Sequence, residues 1–203
     1  EKEIFLEQLP EAQRAKADPK RIVFPEGTEE KILRASQIIL DEDIAKPILL
    51  GDEHVIRQRA VMLDLDLEGA EIINPETSKT LDEYVETYFN LRQRRGVTRP
   101  DARLQARRPA TFGMLMVHNN DADGLVAGLT QNYPATIRPA LQIIKARPGI
   151  STIAGMYMLV FKNDVRFIAD ATVNFDPTAE QLADVAIMAA ERVRTFDIEP
   201  RIA

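Results

Sequence analysis

The chain has 203 residues, no cysteine, a formal net charge of -6, 45% apolar residues and 29% charged ones. That balance supports a hydrophobic core and excludes a disordered or collagen-like chain, while the missing cysteines exclude disulfides and thiolate chemistry within it. The acidic balance argues against general nucleic-acid binding. The longest nearly apolar run, Ile150 to Phe161, is too short for a membrane span, and Glu1 opens a charged stretch rather than a signal peptide, so a cytoplasmic location away from membranes is expected.

Short apolar runs alternate with longer amphipathic segments, the pattern of βαβ units and a largely parallel sheet, so the fold class is α/β. After a helical lead-in over residues 1–20, Arg21 to Phe24 reads as a strand closed by Pro25-Glu26-Gly27. Thr28 is then placed to cap a helix with Glu29 and Glu30 in its first turn. Pro47 to Leu50 is a strand, Gly51-Asp52 a turn, Glu53 to Leu63 a helix, and Glu71 to Ile73 a third strand ending at Asn74-Pro75. Helices dominate from Leu81 to about Asn119.

Sheet patterning resumes at Gly124 to Leu129. A polar loop, Thr130-Gln131-Asn132-Tyr133-Pro134, follows that strand, at the place where open α/β sheets bind ligands, and a helix is expected from Thr136 to Lys145. Ile150 to Phe161 and Arg166 to Ile168 read as strands. Asp176 with Pro177 reads as the start of a helix bearing Leu182, Val185, Ala186, Ala189, Val193 and Phe196 at helical spacing. Arg201-Ile202-Ala203 resembles the opening of another strand, and the expectation is a first lobe over 21–145 and a second, from 146 to 203, that stops before completion.

Charge is unevenly distributed. Seven arginines (Arg92, Arg94, Arg95, Arg99, Arg103, Arg107 and Arg108) stand against one acid, Asp101, between positions 92 and 108. Such a patch on an acidic protein suits a small polyanion, because guanidinium forks bind phosphate oxygens in pairs; a solvated helix face paired with acids elsewhere fits equally well. No Gly-x-Gly-x-x-Gly or Gly-x-x-x-x-Gly-Lys is present, so a dinucleotide fingerprint and a P-loop are both excluded. His54 and His118 have no ligand partners at metal spacing. The pairs Asp41/Asp43, Asp64/Asp66 and Asp121/Asp123 fall in turns, where aspartate commonly bonds the backbone.

Six strings in order carry a family likeness: Arg21-Ile-Val-Phe-Pro-Glu-Gly27, Lys46-Pro-Ile-Leu-Leu-Gly51, Tyr88-Phe-Asn-Leu-Arg-Gln-Arg-Arg-Gly-Val-Thr98, Ala122-Asp-Gly-Leu-Val-Ala-Gly128, Thr136-Ile-Arg-Pro-Ala-Leu-Gln-Ile-Ile144 and Phe167-Ile-Ala-Asp-Ala-Thr-Val-Asn174. Together they resemble the phosphate acetyl/butyryltransferase (phosphotransacetylase) family. Within it, Thr130-Gln-Asn-Tyr-Pro-Ala-Thr-Ile-Arg138, Asp176-Pro-Thr-Ala-Glu-Gln-Leu-Ala183 and Phe196-Asp-Ile-Glu-Pro-Arg201 are most similar to the C-terminal domain of hybrid NADP-dependent malic enzymes. Freestanding phosphotransacetylases tend to carry a serine-rich loop where Asn132, Tyr133 and Pro134 stand, and the family tends to have glycine in place of Asp197.

The resemblance implies a phosphotransacetylase-like (isopropylmalate dehydrogenase-like) domain of two lobes, at least dimeric, with an acyl-CoA cleft. Arginines matching Arg92 and Arg138 hold anionic groups in the catalytic relatives, and Thr130, Asn132, Tyr133 and Thr136 are placed beside Arg138 as ligand-binding candidates. The family's serine-arginine pair and aspartate are expected after position 203, so no catalytic residue is assigned within the chain. Three functions follow from the resemblance: an acetyl-CoA-binding regulatory module, a phosphate acetyltransferase, or an assembly module. The first implies an attached malic-enzyme domain that uses NADP and a divalent metal, Mg or Mn, to oxidise malate.

Overall fold

A computed structural model describes residues 15–146, 150–162 and 164–203, which divide into two compact units meeting in sequence at Lys145 and Ala146. In the first, four strands form a parallel sheet: β1 (Lys20–Phe24), β2 (Ala45–Leu50), β3 (Glu71–Ile73) and β4 (Gly124–Leu125). Their order is β3-β2-β1-β4, with Val23 opposite Ile48 and Ile22 opposite Gly124. The crossovers are α1 (Glu30–Asp41), α2 (Glu53–Met62) and, between β3 and β4, the run α3 (Leu81–Arg92), α4 (Arg99–Ala106) and α5 (Pro109–His118).

Side-chain alternation along β1 and β2 sends apolar groups to both faces, as a parallel sheet covered on two sides requires. Val23, Ile48 and Leu50 join Tyr84, Phe112, Leu115 and Ile143 in one buried cluster, whereas Phe24 and Leu49 join Leu33, Ile56 and Ala60 in another. The first cluster packs so closely that a Cβ on Gly113 of α5 would lie 2.6 Å from the Leu125 side chain. The chain builds outward from β1 through β2 to β3, then returns to add β4 on the opposite side of β1. This places a topological switch point between β1 and β4, where the strand ends open a crevice.

β4 is shorter than the expected 124–129 strand. Val126 still donates to the Val23 carbonyl at 2.9 Å, but the next amides turn away to a side-chain acceptor. The helix expected from Thr136 starts earlier, as α6 (Tyr133–Ile143), because the Asn132 side chain accepts from Ala135 N at 3.1 Å and Pro134 sits in the first turn. Tyr133 and Pro134 therefore belong to the helix rather than to the polar loop. Thr28 does not cap α1; it lies in a turn closed by Glu29 N to Glu26 O at 3.0 Å, and Glu29 occupies the cap position.

The second unit contains an antiparallel hairpin, β5 (Met156–Val160) and β6 (Val165–Ala169), and a helix, α7 (Ala179–Arg194), in contact with β6. β5 begins later than expected because side chains take over the backbone before it: Asp170 accepts from Gly155 N at 3.1 Å and Asn174 donates to Ile153 O at 2.9 Å. Thr178, not Asp176, caps α7 through a reciprocal capping box with Gln181, leaving Pro177 outside the helix. Residues 201–203 form no strand. Of the expected lead-in over 1–20, residues 1–14 lie outside the described residues, 15–17 are helical and Lys20 opens β1. No helix among the described residues is long and apolar enough to cross a membrane.

Candidate functional site

The switch point is organised by Glu26, two residues beyond β1. Its carboxylate accepts from the backbone N–H of Gly128 (3.0 Å), Leu129 (2.9 Å) and Thr130 (2.5 Å) and from the Thr130 hydroxyl (2.6 Å). Partial burial alone would raise its pKa; the hydrogen bonds from Thr130, Leu129 and Gly128 together outweigh that effect and hold it at about 2. Gly128 supplies the positive φ of +113° that the turn requires. Gly27 is equally constrained, since a Cβ there would lie 2.7 Å from the Leu50 carbonyl.

From this turn the chain passes through Gln131 into the Asn132 cap of α6. A cleft of about 730 Å³ opens there, between the first turns of α6 and α5. Asn132, Pro134, Ala135 and Arg138 line it from α6; Arg108, Pro109, Ala110 and Thr111 line it from the start of α5. The first turns of two helices, with their positive dipole ends, thus border one space. The charged residues of the described lining are Arg108 and Arg138, and neither makes an ion pair among the described residues.

Tyr88 of α3 and Gln142 of α6 complete one wall and are bonded to each other, the phenol donating to Gln142 Oε1 at 3.1 Å. Tyr88 is 4% exposed. Burial raises its pKa, and the nearby charges of Arg92 and Arg108 offset this only in part. Arg92 is near enough to act on the phenol but is not part of the lining, and its Nε is buried without an acceptor among the described residues.

The other arginines of the cationic segment divide by partner. Arg99 bonds both oxygens of Glu86 at 2.8 and 3.1 Å and lies 4.1 Å over the Phe89 ring; Arg103 bonds Asp82. Of the candidates expected from sequence, Arg138 and Asn132 line the cleft. Thr130 is committed to Glu26, Tyr133 lies 42% exposed on the first turn of α6, Thr136 is in α6 outside the lining, and Arg92 is also outside it. Charge patterning marks Arg108 only as one of the seven arginines of the cationic segment, and nothing in the sequence singles out Tyr88, Gln142 or Glu26. Pro109 after Arg108 is a helix-start signal that marks Arg108 as a cap position.

The fold is thus a parallel α/β sheet flanked by helices, with a cleft bearing Arg108 and Arg138 where the chain leaves the switch point and enters α6. The family model described as phosphate acetyl/butaryl transferase matches residues 4–203, and the chain belongs to that family. Among its relatives, a phosphate acetyltransferase of Nitratidesulfovibrio vulgaris is 42% identical over 94% of this chain and 27% of its own length. An NADP-dependent malic enzyme of Salmonella typhimurium is 38% identical over 93% of this chain and 25% of its own. A phosphotransacetylase from Streptococcus pyogenes superposes with a TM-score of 0.88 at 34% identity, over 94% of this chain and 58% of that one. The chain therefore spans about a quarter to three-fifths of the length of these relatives.

Proposed function

We propose that the cleft at the β1/β4 switch point binds the phosphate groups of CoA or an acyl phosphate, and that the complete protein exchanges CoA and phosphate on an acyl group. The observation that carries this reading is the convergence of Arg108 and Arg138, both without a carboxylate partner among the described residues, with two helix N-termini on one space. Guanidinium groups match phosphate oxygens in charge and directionality, and a site that binds a departing or arriving phosphate needs donors aimed at it. In this reading the described residues bind and orient anionic groups, and no acid, base or nucleophile is assigned among them.

A second reading is favoured by the malic-enzyme relative, in which this chain aligns with a quarter of the length. There the same cleft would sense acetyl-CoA and inhibit an attached NADP- and metal-dependent malate-oxidising domain. The Asn132-capped start of α6 in place of a serine-rich loop accords with a binding rather than a catalytic role. Isothermal titration of the full-length protein with CoA and acetyl-CoA tests the shared claim, and absence of binding would overturn both readings. Acetyl phosphate formation from acetyl-CoA and phosphate supports the transferase. Malate-dependent NADPH formation that falls on addition of acetyl-CoA supports the sensor.

A further inference from the structure

We propose that Glu26 is the positioning residue of this cleft: its carboxylate fixes the 128–130 turn and, through it, Gln131, Asn132 and the first turn of α6 in the arrangement that receives the anion. The inference rests on the cleft being the ligand site. β1 and β4 are neighbours, and their last ladder bond runs from Val126 N to Val23 O. Beyond it the chain must leave the sheet, so the N–H groups of Gly128, Leu129 and Thr130 lose their strand partner. Successive N–H groups aimed at one point form a nest that attracts an anion. The protein supplies that anion itself, across more than a hundred residues of sequence, from the end of the adjacent strand.

Both carboxylate oxygens are used. Oε2 takes Gly128 and Leu129, and Oε1 takes the Thr130 amide and hydroxyl. An amide cannot substitute, because its NH2 would face donors whichever way it turned. Only Gln131 separates the clamped Thr130 from Asn132, whose side chain caps α6. Clamp and cap are therefore contiguous, and loosening the first frees the second. Gln131 and Asn132 both line the cleft, so freedom in the turn becomes freedom in the site.

A simple charge argument predicts the opposite sign. Glu26 is negative and belongs to the turn that feeds a cationic cleft, so removing its charge would strengthen anion binding if it acted only through space. The positioning role predicts weaker binding instead. The test is CoA titration of full-length Glu26→Gln and Thr130→Val, with thermal melts to confirm folding and amide exchange read over residues 128–130. Glu26→Gln is expected to raise the CoA Kd roughly tenfold, the scale of one lost charge-assisted hydrogen bond, with faster exchange in the turn. Thr130→Val, which removes only the 2.6 Å hydroxyl contact, is expected to shift Kd the same way by less. Unchanged or tighter CoA binding by folded Glu26→Gln would overturn the positioning role and leave the cleft reading intact. No CoA binding by the unsubstituted protein would overturn both.

Discussion

Replacing Arg138 with glutamine tests the proposed cleft most directly, because the side chain lines the cleft and makes no ion pair among the described residues. The side chain has no ion pair among the described residues, so its removal strands no buried carboxylate and costs the free protein little, within about 0.5 kcal/mol. Binding should suffer instead. A hydrogen bond to a charged group contributes roughly 1.5 to 3 kcal/mol, and each 1.4 kcal/mol is tenfold, so the CoA Kd should rise about ten- to a hundredfold. Arg99→Gln is the matched control: it removes an arginine from the same protein, but one held by Glu86 and stacked on Phe89. Because the pair is exposed, its loss should change stability little and leave the CoA Kd within about twofold. Calorimetric titration at low and high salt reads both variants, and the salt dependence should flatten for Arg138→Gln alone. A larger Kd change for Arg99→Gln than for Arg138→Gln would refute the assignment of the charged groups.

Gly27→Ala should destabilise the first unit by about 1 to 3 kcal/mol in urea melts, since its Cβ would meet the Leu50 backbone at 2.7 Å, where no rotamer change can yield. A neutral result would mean that the turn after β1 lies farther from the end of β2 than 2.7 Å implies. Thr178→Ala removes the hydroxyl half of the α7 capping box and should cost about 1 kcal/mol; an unchanged melt would show that Asp176 or solvent supplies the cap. Acid should loosen both units. Hydrogen bonds hold Glu26, Asp123 and Asp170 at pKa values of about 2, below the usual range of roughly 3.9 to 4.3 for free carboxylates. The unfolded chain therefore binds protons first as pH falls, so this stabilisation is complete above about pH 5 and is lost progressively toward pH 2. Melts that show no decline in Tm between pH 5 and pH 3 would contradict it.

The four strands of the first unit and the helices between them were legible because each is signalled locally. β2 is an apolar run buried on both faces, and β3 ends at an Asn-Pro turn at the expected residue. At the two strands whose bounds differ most from expectation, β4 and β5, a side chain distant in sequence has taken over the backbone. β4 stops short because Glu26 captures the amides of residues 128 to 130, and β5 starts late because Asp170 and Asn174 bond residues 155 and 153. Periodicity registers neither, since both contacts depend on the fold. The α7 cap is different in kind: Thr178 and Gln181 form a capping-box spacing visible in the sequence, and it competes successfully with the Asp-Pro pair just before it.

The cationic segment shows how a cleft becomes positive in an acidic protein. Asp82 and Glu86 are four residues apart on α3, and Arg99 and Arg103 are four apart on α4, so each pair projects from one face of its helix. The contacts run in reverse order, Arg103 to Asp82 and Arg99 to Glu86, as two helices packed in opposite directions require. Two of the seven arginines thus stitch a helix seam, and their charge is balanced where it stands. Arg108 falls outside that register, at the cap of α5, and Arg138 belongs to α6, so neither meets an acid of the matching helix. The segment's net charge of +6 therefore says less than its spacing. Exchanging Asp82 and Glu86 for their amides should loosen the exposed α3–α4 seam slightly without changing CoA affinity beyond about twofold, because the arginines released are not those that line the cleft. Substantially tighter CoA binding in that double variant would show that the seam arginines also reach the ligand, and that the division between structural and binding charges is wrong.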